Sequence, residues 1–351
     1  MSDQRVPPPT ILPRFITTPL SWLYSIGINR RNQSFDRGRG VTKIDRPVIS
    51  IGNLSTGGTG KTPMVHWIVR MLLDAGKTPV IAMRGYRAKP GQKGDEQLEH
   101  EQALPETPIV AQPDRIEGLR RLFSGAEGSK IDCVVLDDGF QHRKIARDLD
   151  IVLIDATRPP DRDALLPRGH LRDPIGSLGR AHIVVLTHCE LAEASELARL
   201  RGMIAEYAPG VPVLTARHAW VAMNAYLRHD AGWDANRVPV SDLSRQVVQC
   251  VCGIGNSDAF ERMVEASGMK IDRRIVLSDH EPLNEKLLRE LTGRSGHSQN
   301  APIIMTRKDW VKAKSLPAWP HGARVYVPEL SMEIDGVHAL KSAVVDLFGH
   351  G

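Results

Sequence analysis

Residues 52–62, Gly-Asn-Leu-Ser-Thr-Gly-Gly-Thr-Gly-Lys-Thr, have the types and spacing needed to hold a triphosphate. Glycines at 57, 58 and 60 let the backbone curl until its N–H groups face phosphate oxygens. Lys61 can reach the β- and γ-phosphates, and the Thr62 hydroxyl can ligate Mg²⁺. The nucleotide-contacting set is therefore Ser55, Thr56, Gly57, Gly58, Thr59, Gly60, Lys61 and Thr62. The strict Walker pattern asks for glycine where Ser55 stands, so Gly57 and Gly58 are expected to make the turn.

Carboxylates supply the rest of the chemistry. Cys133-Val-Val-Leu136 followed by Asp137-Asp138 is a Walker B pattern, a buried strand ending in acids that suit a hard cation. Gln141 and His142 follow those acids, and Arg84 opens a segment rich in Gly, Arg and Lys that ends at Gly94-Asp95-Glu96. That acidic pair reads either as a solvated helix start or as a carboxylate delivered by a mobile basic lid, since phosphoryl transfer to a hydroxyl uses a positioned acid to take the proton. Asp279-His280 reads either as a helix N-cap with an exposed imidazole or as a base poised near neutral pH.

The elements that must position these residues form an α/β pattern with a largely parallel sheet. Strands are expected at 48–51, 80–83, 133–136, 151–154, 183–186 and 212–215, then at 247–252, 274–277, 303–306 and 323–327. A helix after the phosphate loop carries Val65, Ile68, Val69, Leu72 and Leu73 on one face, with Gly76 placed to stop it. The polar, irregular stretch 216–246 reads as a linker. The expected domains are a basic, apolar arm (1–40), a phosphate-loop kinase domain (41–215), the linker (216–246), a smaller α/β domain (247–325) and a return with a C-terminal helix packing on the first domain (326–351). In both α/β parts the polar motifs follow strands directly, where ligands of open parallel sheets bind, so a cleft between the two sets is expected.

Bulk properties narrow the class. The chain has 351 residues, 41% of them apolar, enough for about two domains. No near-continuous apolar run reaches membrane-spanning length, and the proline-containing N-terminal stretch has no secretory apolar core. Cys133, Cys189, Cys250 and Cys252 lie in or beside apolar runs without a CxxC spacing and read as reduced core thiols. Residues 1–46 carry the whole net charge of +5, and the remainder balances 38 basic against 38 acidic residues, which argues against nucleic-acid binding by the main body. Within the arm, Ile11, Leu12, Phe15, Ile16, Leu20, Trp22, Leu23, Tyr24 and Ile28 precede Arg30 and Arg31. They form either a core helix or one lying in a membrane interface, too short in its apolar run to span.

Together these motifs resemble the tetraacyldisaccharide 4'-kinase family. The resemblance rests on Pro47 to Pro63, Arg84-Gly-Tyr86, Gly94-Asp-Glu96, Leu136-Asp-Asp-Gly-Phe-Gln-His142, Leu166-Pro167 with Leu171-Arg172, Cys252-Gly-Ile-Gly-Asn256 and Asp279-His280. It implies a P-loop NTPase-like α/β/α domain with a second, smaller α/β/α domain and a small β linker. It implies ATP and Mg²⁺ as cofactors, and phosphate transfer to the 4'-hydroxyl of an acylated glucosamine disaccharide at the cytoplasmic face of the bacterial inner membrane. It further implies Asp95 and His280 as a pair acting on that hydroxyl, with Asp137, Asp138 and Glu96 near the metal and Arg84, Gln141, His142 and Arg172 as accessory residues. Arg87, Asp173 and Arg307 stand where the family favours Gly, Glu and Glu. The rival expectation is a nucleotide switch of the ParA/MinD type, although Thr56 stands where such switches carry a signature lysine. A kinase for a small molecule without membrane contact is the third.

Overall fold

The computed structural model describes residues 13–85, 93–253, 257–277, 283–292 and 301–349. Its described residues divide into two compact units. The first comprises residues up to 85, Ala103–Arg217 and the chain from Ile334; the second comprises 93–102 and His218–Glu333.

The first unit is built on parallel strands β1 (Val48–Asn53), β2 (Pro79–Met83), β3 (Ile109–Ala111), β4 (Cys133–Asp137), β5 (Leu149–Asp155), β6 (Ile183–Thr187) and the start of β7 (Val213–His229). Their order is β7-β6-β5-β1-β4-β2-β3. Every residue of β1, β2, β4, β5 and β6 is buried, as expected of a parallel sheet covered on both faces. Helix α1 is Arg14–Asp36, α2 is Lys61–Asp74, and α3 (Asp95–Ala103) lies almost wholly in the second unit. Helices α4 (Arg115–Ser124) and α5 (Ala194–Tyr207) complete the layers of the first unit. Met64, Val65, Ile68, Val69 and Leu72 are the buried face of α2, each contributing roughly 1.5–3 kcal/mol. Leu73, expected on that face, is exposed, because it falls one position beyond the stripe.

The topology fixes the site. Strand β1 lies between β4 and β5, with Ile51 opposite Asp137 and Gly52 opposite Val152, so the loop after β1 and the acids ending β4 leave the sheet side by side. The packing there is close: a Cβ on Gly52 would fall 2.5 Å from Cβ of Phe140.

The second unit has β9 (Val247–Cys252), β10 (Lys270–Val276), β11 (Ile303–Met305) and β12 (Arg324–Asp335) in the order β10-β9-β11-β12, with each of these neighbouring pairs parallel. Helices α6 (Ser257–Ala266), α7 (Glu285–Thr292) and α8 (Arg307–Ala313) flank them in sequence, and α9 (Val337–Val345) follows in the first unit with Leu340 and Val344 buried. The irregular linker expected at 216–246 is instead largely a hairpin. Strand β7 runs on to His229 and pairs antiparallel with β8 (Gly232–Val238). Aromatic packing explains it: Tyr226 lies 4.5 Å from Trp310 between ring centres, and Trp233 meets Trp310 and Trp319 edge-on.

Helix α1 also departs from a core helix. Its buried residues are Thr17, Ser21, Ile28 and Asn32, whereas Phe15, Trp22 and Leu23 are 77%, 65% and 57% exposed. The helix packs through a mostly polar face and turns its large apolar side chains outward. Ile11 and Leu12 lie outside the described residues.

Candidate active site

The phosphate loop is built from main chain. Gly57 (φ 105°) and Gly60 (φ 79°) take left-handed conformations that a side chain would strain, and Gly60 caps the N-terminus of α2. Gly57 thus makes the turn beside Ser55. Three side chains brace the loop: Asn53 Nδ2 donates to Thr59 Oγ1 (2.7 Å), Thr187 Oγ1 donates to the Thr59 carbonyl (3.0 Å), and Gln141 Nε2 donates to the Asn53 carbonyl (2.7 Å). The other edge of the loop pairs with residues 170–173: the Thr56 amide donates to the His170 carbonyl (2.8 Å), and the Arg172 amide to that of Leu54 (2.7 Å).

Lys61 opens α2, where amides and helix dipole already favour an anion. Its ammonium stands 3.6 Å from Asp138. Arg172 grips both carboxylate oxygens of Asp138 at 2.7 Å and also donates to Asn53 Oδ1. Burial alone would push the Asp138 carboxyl up, yet Lys61 and Arg172 together hold it well below the usual carboxylate range. Asp138 takes φ 51°, rare outside glycine, which turns its side chain across the strand end toward those cations. Asp137 is buried at the end of β4, and Thr62 follows Lys61 in the first turn of α2. Both offer hard oxygen, the chemistry Mg²⁺ takes.

Around this centre, His142 is kept neutral: burial, then Arg115, Arg147 and Lys144, push its imidazole down to about 4. Arg84 is exposed at the end of β2. Arg115, which no sequence pattern singled out, is buried at the first position of α4, with Asp137 and Asp138 among the charges that act on it.

In the second unit, Asp95 and Glu96 open α3. Asp95 is met at 2.7 Å by Lys312, an ion pair that sequence reasoning missed. The signal was faint: Lys312 lies on α8, five residues after Arg307 and three after Asp309. Asp309 itself is structural, accepting from the Gly253 amide (2.8 Å) and the Thr306 hydroxyl (2.6 Å). His280 and Asp279 lie outside the described residues, as do Tyr86, Arg87 and 254–256.

A glycine loop on a helix N-terminus, a facing lysine and strand-end acids make a site for a nucleoside triphosphate. The family model for tetraacyldisaccharide-1-P 4'-kinase matches residues 13–348. The chain belongs to the tetraacyldisaccharide 4'-kinase family. Among its relatives, the tetraacyldisaccharide 4'-kinase of Chlorobaculum parvum is 32% identical over 320 residues, covering 86% of this chain and 85% of the relative. A probable mitochondrial tetraacyldisaccharide 4'-kinase of Arabidopsis thaliana is 33% identical, covering 76% and 73%. The crystal structure of LpxK from Aquifex aeolicus in complex with ATP superposes with a TM-score of 0.67 at 28% identity, covering 94% of this chain and 98% of that one. Membership makes this tetraacyldisaccharide 4'-kinase family chain a phosphotransferase, and the switch-type alternative is not favoured. The P-loop NTPase-like α/β fold expected from sequence matches that neighbour.

Proposed function

We propose that the chain transfers the γ-phosphate of ATP to the 4'-hydroxyl of a tetraacylated glucosamine disaccharide 1-phosphate, a step of lipid A biosynthesis. The observation that carries this reading is the glycine loop with Lys61 facing Asp138, inside a chain that the family model matches from 13 to 348. Loop amides from Ser55 to Thr62 cradle the phosphates and Lys61 neutralises the β- and γ-oxygens. Thr62 and Asp137 would hold Mg²⁺, which supplies charge neutralisation on the transferring phosphate. Both Asp138 oxygens are taken by Arg172, so Asp138 acts as the anchor that aims Arg172 and Lys61.

Asp95 serves as general base, taking the proton of the sugar hydroxyl as its oxygen bonds to phosphorus while the ADP oxygen departs. Lys312 holds that carboxylate in place. His280 partners Asp95 and Glu96 assists near the metal, the roles the family resemblance implies. Positioning and charge neutralisation supply most of the rate.

Helix α1 docks on the cytoplasmic face of the inner membrane through Phe15, Trp22 and Leu23, with Arg30 and Arg31 exposed beyond them. Each buried apolar side chain contributes roughly 1.5–3 kcal/mol and each basic residue about 1 kcal/mol at an anionic leaflet. No helix among the described residues is long and apolar enough to cross a membrane.

Pure protein incubated with labelled ATP and the tetraacyl disaccharide 1-phosphate should yield the bisphosphorylated lipid; no labelled lipid would refute the reading. Flotation on anionic vesicles should weaken with salt and fall when Trp22 and Leu23 become serine. Undiminished flotation of that variant would remove α1 as the dock.

A further inference from the structure

The polar face of α1 grips the same short segment that carries Arg172. Ser21 Oγ donates to the Leu165 carbonyl at 2.9 Å. Tyr24 Oη donates to the carbonyl of Arg172 itself at 2.9 Å, and Asn32 Nδ2 donates to Asp173 Oδ1 at 3.1 Å. Asn32 and Asp173 are both buried, and the Asn32 carbonyl accepts from Arg143 at 2.9 Å, so the helix end is locked on its underside. The gripped segment is tied in turn to the phosphate loop through Thr56 to His170, Arg172 to Leu54, and a bridge between Ser55 and Leu171. From it the Arg172 guanidinium reaches Asn53 and both oxygens of Asp138.

A run of direct hydrogen bonds thus leads from α1 to the Walker B carboxylate. We propose that Tyr24 and Asn32 are positioning residues for Arg172, so that the seating of α1 sets the aim of the guanidinium on Asp138 and through it the placement of Lys61. The idea rests on the reading of the Lys61–Asp138–Arg172 group as the nucleotide centre. The physical ground is geometric. A bidentate guanidinium–carboxylate pair needs a fixed plane and angle, which a long flexible side chain keeps only if its own peptide is fixed. Tyr24 holds that peptide by its carbonyl, and Asn32 holds the next residue through the Asp173 carboxylate. Among the described residues, Tyr24 and Asn32 hydrogen-bond residues 172 and 173 and not the phosphate loop, so their effect passes through that segment. The helix thereby has two separable faces: an apolar one turned outward and a polar one that aims Arg172.

The test is a double-mutant cycle on the full chain, with acceptor dispersed in detergent micelles so that vesicle attachment does not enter. Tyr24→Phe removes one hydroxyl and keeps the ring. It should lower kcat about three- to tenfold, the worth of one hydrogen bond, with thermal midpoint and vesicle flotation unchanged. Arg172→Ala should lower kcat by more. In the Arg172→Ala background, adding Tyr24→Phe should cost nothing further. Asn32→Ala should behave likewise; if it does not fold, Tyr24→Phe carries the test.

Additive losses in the cycle would overturn the inference while leaving Arg172 in the site. Normal turnover of Arg172→Ala would overturn the reading of the centre itself, and the inference with it. A Tyr24→Phe loss seen on vesicles but not in micelles would also overturn it, because the tyrosine would then serve docking alone.

Discussion

The phosphate-loop side and the Asp95 side of this enzyme are held in different ways. In the first unit the groups interlock: Asp138 takes Arg172 and Lys61, and Asn53 ties Thr59, Gln141 and Arg172 together. In the second unit Asp95, at the start of a nine-residue helix, is met by the flexible ammonium of Lys312. An interlocked network is pre-organised, each member fixed by its neighbours. A carboxylate on a short helix with a lysine partner is less tightly held, which suits the base proposed for it above.

The largest effects should separate the two sides by which constant moves. Asp95→Ala should cut kcat about 10²- to 10⁴-fold with ATP affinity held. Lys61→Ala should cut turnover at least about 10²-fold and weaken ATP binding as well. Single-turnover rates and nucleotide titrations read both quantities. Near-normal turnover in Asp95→Ala rejects it as the base, and equal weakening of ATP binding in both variants erases the distinction.

The two sides were also unequally legible in the sequence. The loop, its flanking strand and helix, and the acids at 137–138 could be read because local spacing alone defines them, and β1 beside β4 then follows from parallel-sheet topology. The pairing of Arg172 with Asp138, and of Lys312 with Asp95, could not be read, since each joins residues that only the fold brings together. For helix α1 the sequence left a core helix and an interfacial helix both open, because an apolar stripe serves either; its inner face of Thr17, Ser21 and Asn32, with Ser21 and Asn32 bonded to residues 165 and 173, is legible only in the fold. The β7–β8 hairpin was hidden by its polar, exposed outer residues; its order comes from Trp310 and Trp319, remote in sequence.

A smaller effect sharpens the interlocked side. Gly52→Ala would place a methyl 2.5 Å from Phe140 Cβ, and overpacking of this kind costs about 1–3 kcal/mol. The urea midpoint should fall accordingly. An unchanged midpoint would mean that β1 and the Phe140 turn can move apart, and that this side is looser than its hydrogen bonds imply.

On the adjustable side, Lys312→Met should lower kcat about three- to tenfold, as expected for a part-exposed charged pair, with the KM for ATP unchanged and Lys312→Arg restoring most of the loss. If Lys312→Met matches Asp95→Ala in severity, the lysine is as indispensable as the base and the side is not adjustable at all.

The last contrast is in stability against pH, where the half-buried His142 and the buried Asp309, shifted in opposite directions, compare the units directly. His142, in the first unit, has its imidazole pushed down from 6.5 to about 4, by burial first and by Arg115 next. Between those values the unfolded chain binds a proton that the folded chain refuses, so stability falls as pH drops from 6.5 toward 4. Asp309, in the second unit, is pushed up from 3.8 by burial, so the folded chain takes its proton first; its contribution is full below 3.8 and is lost as pH rises through the folded value. Asp138 stays ionised throughout this window, since its carboxyl is held far below it. Denaturant midpoints from pH 6.5 to 4.5 should therefore fall less steeply in His142→Asn than in the parent, and as the pH falls on toward 3.8 Asp309→Asn should lack the gain that the parent carboxyl makes on taking its proton. Parallel slopes for His142→Asn and the parent would mean that the imidazole titrates freely, and that the packing around the Walker B turn is open to water in a way its burial does not suggest.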